Sequence, residues 1–78
     1  MASRKRSIQL LDTVALLEDL PARELKRGEV GTVVELLGPD VYEVEFSDDD
    51  GQTYAELALR TDQVVFLHNR GETLRIIA

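Results

Sequence analysis

Val41-Tyr42-Glu43-Val44-Glu45-Phe46-Ser47 alternates without a break, with Tyr42, Val44 and Phe46 on one side and Glu43 and Glu45 on the other. Successive side chains of a strand point to opposite faces, so the stretch predicts a strand with one buried and one wet face. Asp48-Asp49-Asp50-Gly51 follows, and an Asp-Gly pair suits the positive φ angles of a tight hairpin turn. The returning strand runs from Thr53 to Leu59. Simple alternation puts Thr53, Ala55, Leu57 and Leu59 on one face, and Tyr54, Glu56 and Ala58 on the other.

Working back from this hairpin, Gly38-Pro39-Asp40 is a turn signal. Before it, Glu29 to Leu37 reads as a strand whose Val30, Val33, Val34, Leu36 and Leu37 are apolar. Gly31 inside that run predicts a bulge or a close backbone approach. Pro21 ends the element before it, and Ala22 to Arg27 form a polar connection with room for one helical turn. Residues 8–20 are densely apolar and fit either a helix or a strand; a strand is preferred because all that follows is β. Downstream, Arg60-Thr61-Asp62-Gln63 suggests a 3₁₀-type turn, and Val64 to Leu67 the last core strand. The apolar Leu74, Ile76 and Ile77 of the tail imply an extra strand hairpinned through Asn69-Arg70-Gly71, or an edge that pairs with another chain.

The expected architecture is mostly β, a small five-stranded SH3-like barrel over residues 8–68. A flexible basic arm precedes it over residues 1–7, and a C-terminal tail or extra strand follows over residues 69–78. Closing such a sheet on itself would remove its exposed edges.

A chain of 78 residues is one domain at most. It buries only about 60% of its unfolded surface, which leaves no interior for a deep substrate pocket. Cysteine is absent, so disulfides and thiolate metal sites are excluded, in keeping with an expected cytoplasmic location. An apolar run such as Val64-Val65-Phe66-Leu67 falls far short of the ~20 residues a spanning helix needs. The formal charge is −6, from 15 acidic and nine basic residues. Arg4, Lys5 and Arg6 supply three of the nine, so from Leu11 onward six basic residues face 15 acidic ones, a balance of −9. Such a body repels phosphate backbones and anionic lipid and attracts basic partners.

Two local patterns carry a resemblance. Gly28-Glu29-Val30-Gly31-Thr32-Val33 is similar to the turn-and-strand core of SH3-like barrels, including the KOW motif of ribosomal and transcription proteins. Tyr42-Glu43-Val44-Glu45-Phe46 is followed by Asp49-x-Gly51-x-Thr53 and preceded by Asp12-x-Val14-x-Leu16 and Leu20-Pro21. In this order and at this spacing, over residues 12–67, the patterns resemble the bacterial family called domain of unknown function 4926. The resemblance implies a small SH3-like protein with no assigned activity. Its fold is similar to accessory subunits that dock onto larger proteins, and an antitoxin-like role is one context it suggests. A fold likeness alone does not carry function.

Catalytic equipment is not expected. Nucleophilic catalysis needs a nucleophile beside a base. Here the single histidine, His68, ends a strand, and Ser3, Ser7 and Ser47 have no evident relation to it. Fitting Asp48, Asp50 and Gly51 to an EF-hand loop leaves Phe46 and Leu57 where the first and last ligands belong. No metal and no cofactor are therefore expected. The favoured reading is a protein-binding module that docks a basic partner, such as a toxin or an enzyme subunit. Glu43, Glu45, Tyr54 and Glu56 would make contact, and Asp48, Asp49 and Asp50 would steer. The alternative is a KOW-like domain touching RNA or DNA through Arg23, Lys26 and Arg27. A membrane role is not expected, and a homo-oligomer through the C-terminal edge strand is compatible with the pattern.

Overall fold

The computed structural model describes residues 8–69 and 74–77, with side-chain surroundings defined over residues 8–67. Residues 1–7, expected as a basic arm, and residues 70–73 and 78 lie outside the described residues. Six strands are present among the described residues: β1 Thr13–Leu16, β2 Val30–Gly38, β3 Val41–Ser47, β4 Thr53–Arg60, β5 Val64–Asn69 and β6 Leu74–Ile77. They form one antiparallel sheet in the order β4-β3-β2-β1-β5-β6. Two 3₁₀ turns, Pro21–Arg23 and Thr61–Gln63, complete the regular structure. The chain is mostly β as expected, and the ambiguous N-terminal run is a strand. The tail pairs within the chain, as β6 against β5.

The sheet does not close through a continuous ladder, because β4 and β6 remain its two edges. It curls instead, gathering Val14 and Leu16 from β1, Val33 from β2, Tyr42, Val44 and Phe46 from β3, Leu57 and Leu59 from β4, and Val64 from β5 into one core. Leu25, from the β1–β2 connection, fills the open side of that core and is itself buried. The backbone of the connection turns back on itself to deliver this side chain. Leu20 and Leu25 form a β-bridge around the turn Pro21–Arg23, and Glu24 takes a left-handed φ of 59°. A smaller cluster, Ala15, Val65 and Leu67, is buried on the opposite face of β1 and β5.

Gly31 meets the close-approach expectation. A Cβ there would lie 2.7 Å from Val44 Cγ1 and 2.9 Å from the Glu45 carbonyl oxygen. β2 can cross β3 at this point only because residue 31 has no side chain. Bulges then bend both partners of β3. The register slips between Val33 and Glu35 and between Leu36 and Gly38 on β2, and again between Phe46 and Ser47 on β3. Each bulge adds twist and re-aims the side chains that follow it.

Gly31→Ala is expected to destabilise the fold by about 1–3 kcal/mol, the usual cost of overpacking a tight contact. Gly38→Ala, where added atoms meet open space, serves as the comparison. Urea unfolding followed by circular dichroism measures both, and equal midpoints for the two variants would remove Gly31 from this role.

Candidate functional site

The outer face of β2, β3 and β4 carries four glutamates at matching register. Glu35 on β2 stands directly opposite Glu43 on β3, and Glu45 on β3 stands directly opposite Glu56 on β4. The hydrogen-bond phase of the sheet explains how close they lie. Val33 N–H donates to Asp12 and Leu16 N–H donates to the Glu29 carbonyl, so the backbone groups of Val33 face β1. Val33–Val44 is then a non-hydrogen-bonded pair, Val44–Leu57 a hydrogen-bonded pair, and Glu45–Glu56 a non-hydrogen-bonded pair. Side chains approach most closely in pairs of that last kind. The Glu56 carboxyl titrates above its ordinary value. Partial desolvation against the sheet, a hydrogen bond with Glu43, and the charges of Glu43, Glu45 and Glu35 all favour its neutral form.

Of the residues expected to make contact, Glu43, Glu45 and Glu56 therefore come together. Tyr54 does not join them. Phe46 pairs with Ala55 while Ser47 pairs with Thr53, which leaves Tyr54 as the extra residue of a bulge. Alternation alone places Tyr54 beside Glu56 and Thr53 on the core face. The bulge reverses this: Thr53 donates its hydroxyl to the Glu45 carboxylate, and the Tyr54 ring tilts against the core residue Phe46 with centroids 6.4 Å apart. The Tyr54 hydroxyl donates to Glu29 Oε1 at 2.8 Å, and that bond, with desolvation and the charges of Glu29 and Asp48, raises its pKa.

Glu35 is the member of the group that sequence reading missed. The β2 bulge beside Val34 turns it outward, whereas plain alternation from Val33 would send it to the core. The signal lay in Val33-Val34-Glu35-Leu36-Leu37, which fits no period of two. Asp48 is a turn former: its Oδ1 accepts the N–H groups of Asp50 and Gln52, both at 2.9 Å, and Gly51 takes a φ of +81°. Asp49 and Asp50 are exposed at the hairpin tip.

The three cations named for nucleic acid are dispersed among acids. Arg23 Nη2 donates to the Glu56 carbonyl oxygen at 3.2 Å. The backbone N–H groups of Lys26 and Arg27 are held by the carboxylates of Glu29 and Asp19. A shallow groove of about 370 Å³ beside them is lined by Asp19, Pro21, Glu24, Leu25 and Lys26. Among the described residues no group of three or more His, Asp or Glu side chains is arranged to hold a metal ion, and no helix is long and apolar enough to cross a membrane.

Residues 10–66 match the family described as Domain of unknown function (DUF4926). The chain belongs to this family. No curated protein and no solved structure matches it.

Because the Glu56 pKa is raised in the folded state, protonation of this group adds stability that is present below its unfolded value and lost as pH rises through the folded value. Glu56→Gln is expected to raise the melting temperature at pH 7 and to shrink the gain seen on moving from pH 7 to about pH 4, below the ordinary carboxylate value. Thermal melts of both proteins at both values test this; a variant less stable than the parent at pH 7 contradicts it.

Proposed function

We propose that this protein is a non-enzymatic accessory module that docks a basic protein partner on the acidic outer face of β2, β3 and β4. The observation that carries the reading is the placement of two like-charged pairs, Glu35–Glu43 and Glu45–Glu56, directly across neighbouring strands. Like charges in directly opposed positions destabilise a sheet. Arginine or lysine side chains brought by a partner would turn that repulsion into attraction. Asp49 and Asp50 at the hairpin tip extend the negative field and would speed encounter with such a partner. A toxin or an enzyme subunit of basic surface is the class of partner in view. We also read the curled, uninterrupted β4-β3-β2-β1-β5 order as an SH3-like arrangement, the architecture of other small docking modules.

The test begins with the protein that co-purifies with the tagged full chain, identified by mass spectrometry and then expressed alone. Its affinity for the wild type should fall with added salt. Glu43→Lys with Glu45→Lys should weaken binding by roughly tenfold or more while the circular dichroism spectrum stays unchanged. Undiminished binding by the double variant rules out the acidic face.

A further inference from the structure

We propose that the free edge of β4 receives an extended, arginine-bearing segment of the partner as an added strand, with Arg23 as the intramolecular group it displaces. This rests on the acidic-face reading and adds to it the mode of docking and the chemistry of the docked segment. The phase that makes Glu45–Glu56 and Glu43–Ala58 non-hydrogen-bonded pairs turns the backbone N–H and C=O groups of Glu56 and Ala58 away from β3. No other strand lies on that side of β4 among the described residues. Such an edge is a template for another chain unless something covers it.

What covers it here is a side-chain strap. Arg23, from the β1–β2 connection, donates to the Glu56 carbonyl, and Tyr54 on β4 reaches back to Glu29 at the end of the same connection. Gln63 Oε1 accepts the Arg60 N–H at 2.8 Å, which closes the other end of the edge. Between these caps the N–H and C=O of Ala58 and the N–H of Glu56 face outward. The contact with Arg23 also shows what the edge accepts: a guanidinium already sits on a main-chain acceptor beside the acidic row. An incoming strand would lie about 4.8 Å from β4. Its residue opposite Glu56 would have a Cβ–Cβ separation of about 5 Å, so an arginine there meets the Glu56 carboxylate, the most crowded of the four. Main-chain hydrogen bonds would give affinity, and alternate side chains specificity, as in other strand-addition complexes.

A synthetic octapeptide alternating arginine and valine is the probe, titrated into the ¹⁵N-labelled full chain. Binding should slow hydrogen exchange at the Ala58 amide. Arg23→Ala should tighten binding by about fivefold, because one competing exposed hydrogen bond of roughly 1 kcal/mol is gone. Glu56→Gln should weaken it. Binding without protection at Ala58, unchanged or weaker binding by Arg23→Ala, or no binding to either protein overturns the proposal. Protection at Ala58 that survives Glu43→Lys with Glu45→Lys upholds the edge and counts against the acidic face. Binding lost on that reversal with Ala58 never protected does the opposite.

Discussion

A single antiparallel sheet has an apolar face to bury and, among the described residues, no second layer to bury it against. The face must be folded over onto itself, and that requirement sets most of the other features. Val14, Val33, Val44, Phe46, Leu57 and Leu59 come from four successive strands of the sheet and meet in one cluster. They can meet only if the sheet bends sharply, and the bend is produced at identifiable places. Gly31 lets β2 lie against Val44 and the Glu45 carbonyl without a clash. The bulges at Val34 and Tyr54 add local twist where alternation breaks. Leu25 then seals the open side that a curled but unclosed sheet leaves. Burying these side chains supplies the main favourable term, at roughly 25 cal/mol per Å² of apolar surface.

The same bends decide what the outer face carries. Without the β2 bulge, Glu35 would point into the core, where an unpaired carboxylate is costly. With it, Glu35 joins the row on β3 and β4. Without the β4 bulge, Tyr54 would stand in that row as an aromatic neighbour of Glu56. With it, the ring lies on Phe46 and the hydroxyl bridges to Glu29, tying β4 to the β1–β2 connection. The outer face is thereby made more uniformly acidic than period-two alternation predicts, and the tyrosine is used to hold the curl.

Most of the fold was legible because its strands are short and strongly patterned. Val41–Ser47 reads the same in sequence and in structure, and so do the Asp-Gly hairpin and the 3₁₀ turn at Thr61–Gln63. The family was legible for a related reason, since its motifs sit at the turns and crossings that the fold needs. Three of the four clustered glutamates were legible because β3 and the second half of β4 keep perfect alternation. The errors fall at the bulges. A bulge is one residue of excess in one strand relative to its neighbour, so it belongs to a pair of strands and leaves little trace in either alone. Closure into a complete barrel was also over-read: strand number and turn spacing look the same whether the last edge is joined by a ladder or by side chains.

The joining by side chains matters for how the edge and the face relate. A ladder between β4 and a further strand would lock the edge with several main-chain hydrogen bonds. Here it is held by Arg23 and Tyr54, both exposed, through bonds of 3.2 and 2.8 Å. Exposed side-chain bonds contribute little net stability, because water satisfies the same groups when they part. A cover of this kind blocks the edge against chance pairing but yields to a strand that offers more. The acidic row ends at that same edge, on Glu56. A basic strand approaching along the field of the outer face would therefore arrive where the backbone can be opened to receive it, with electrostatic attraction at Glu56 and main-chain pairing at Glu56 and Ala58.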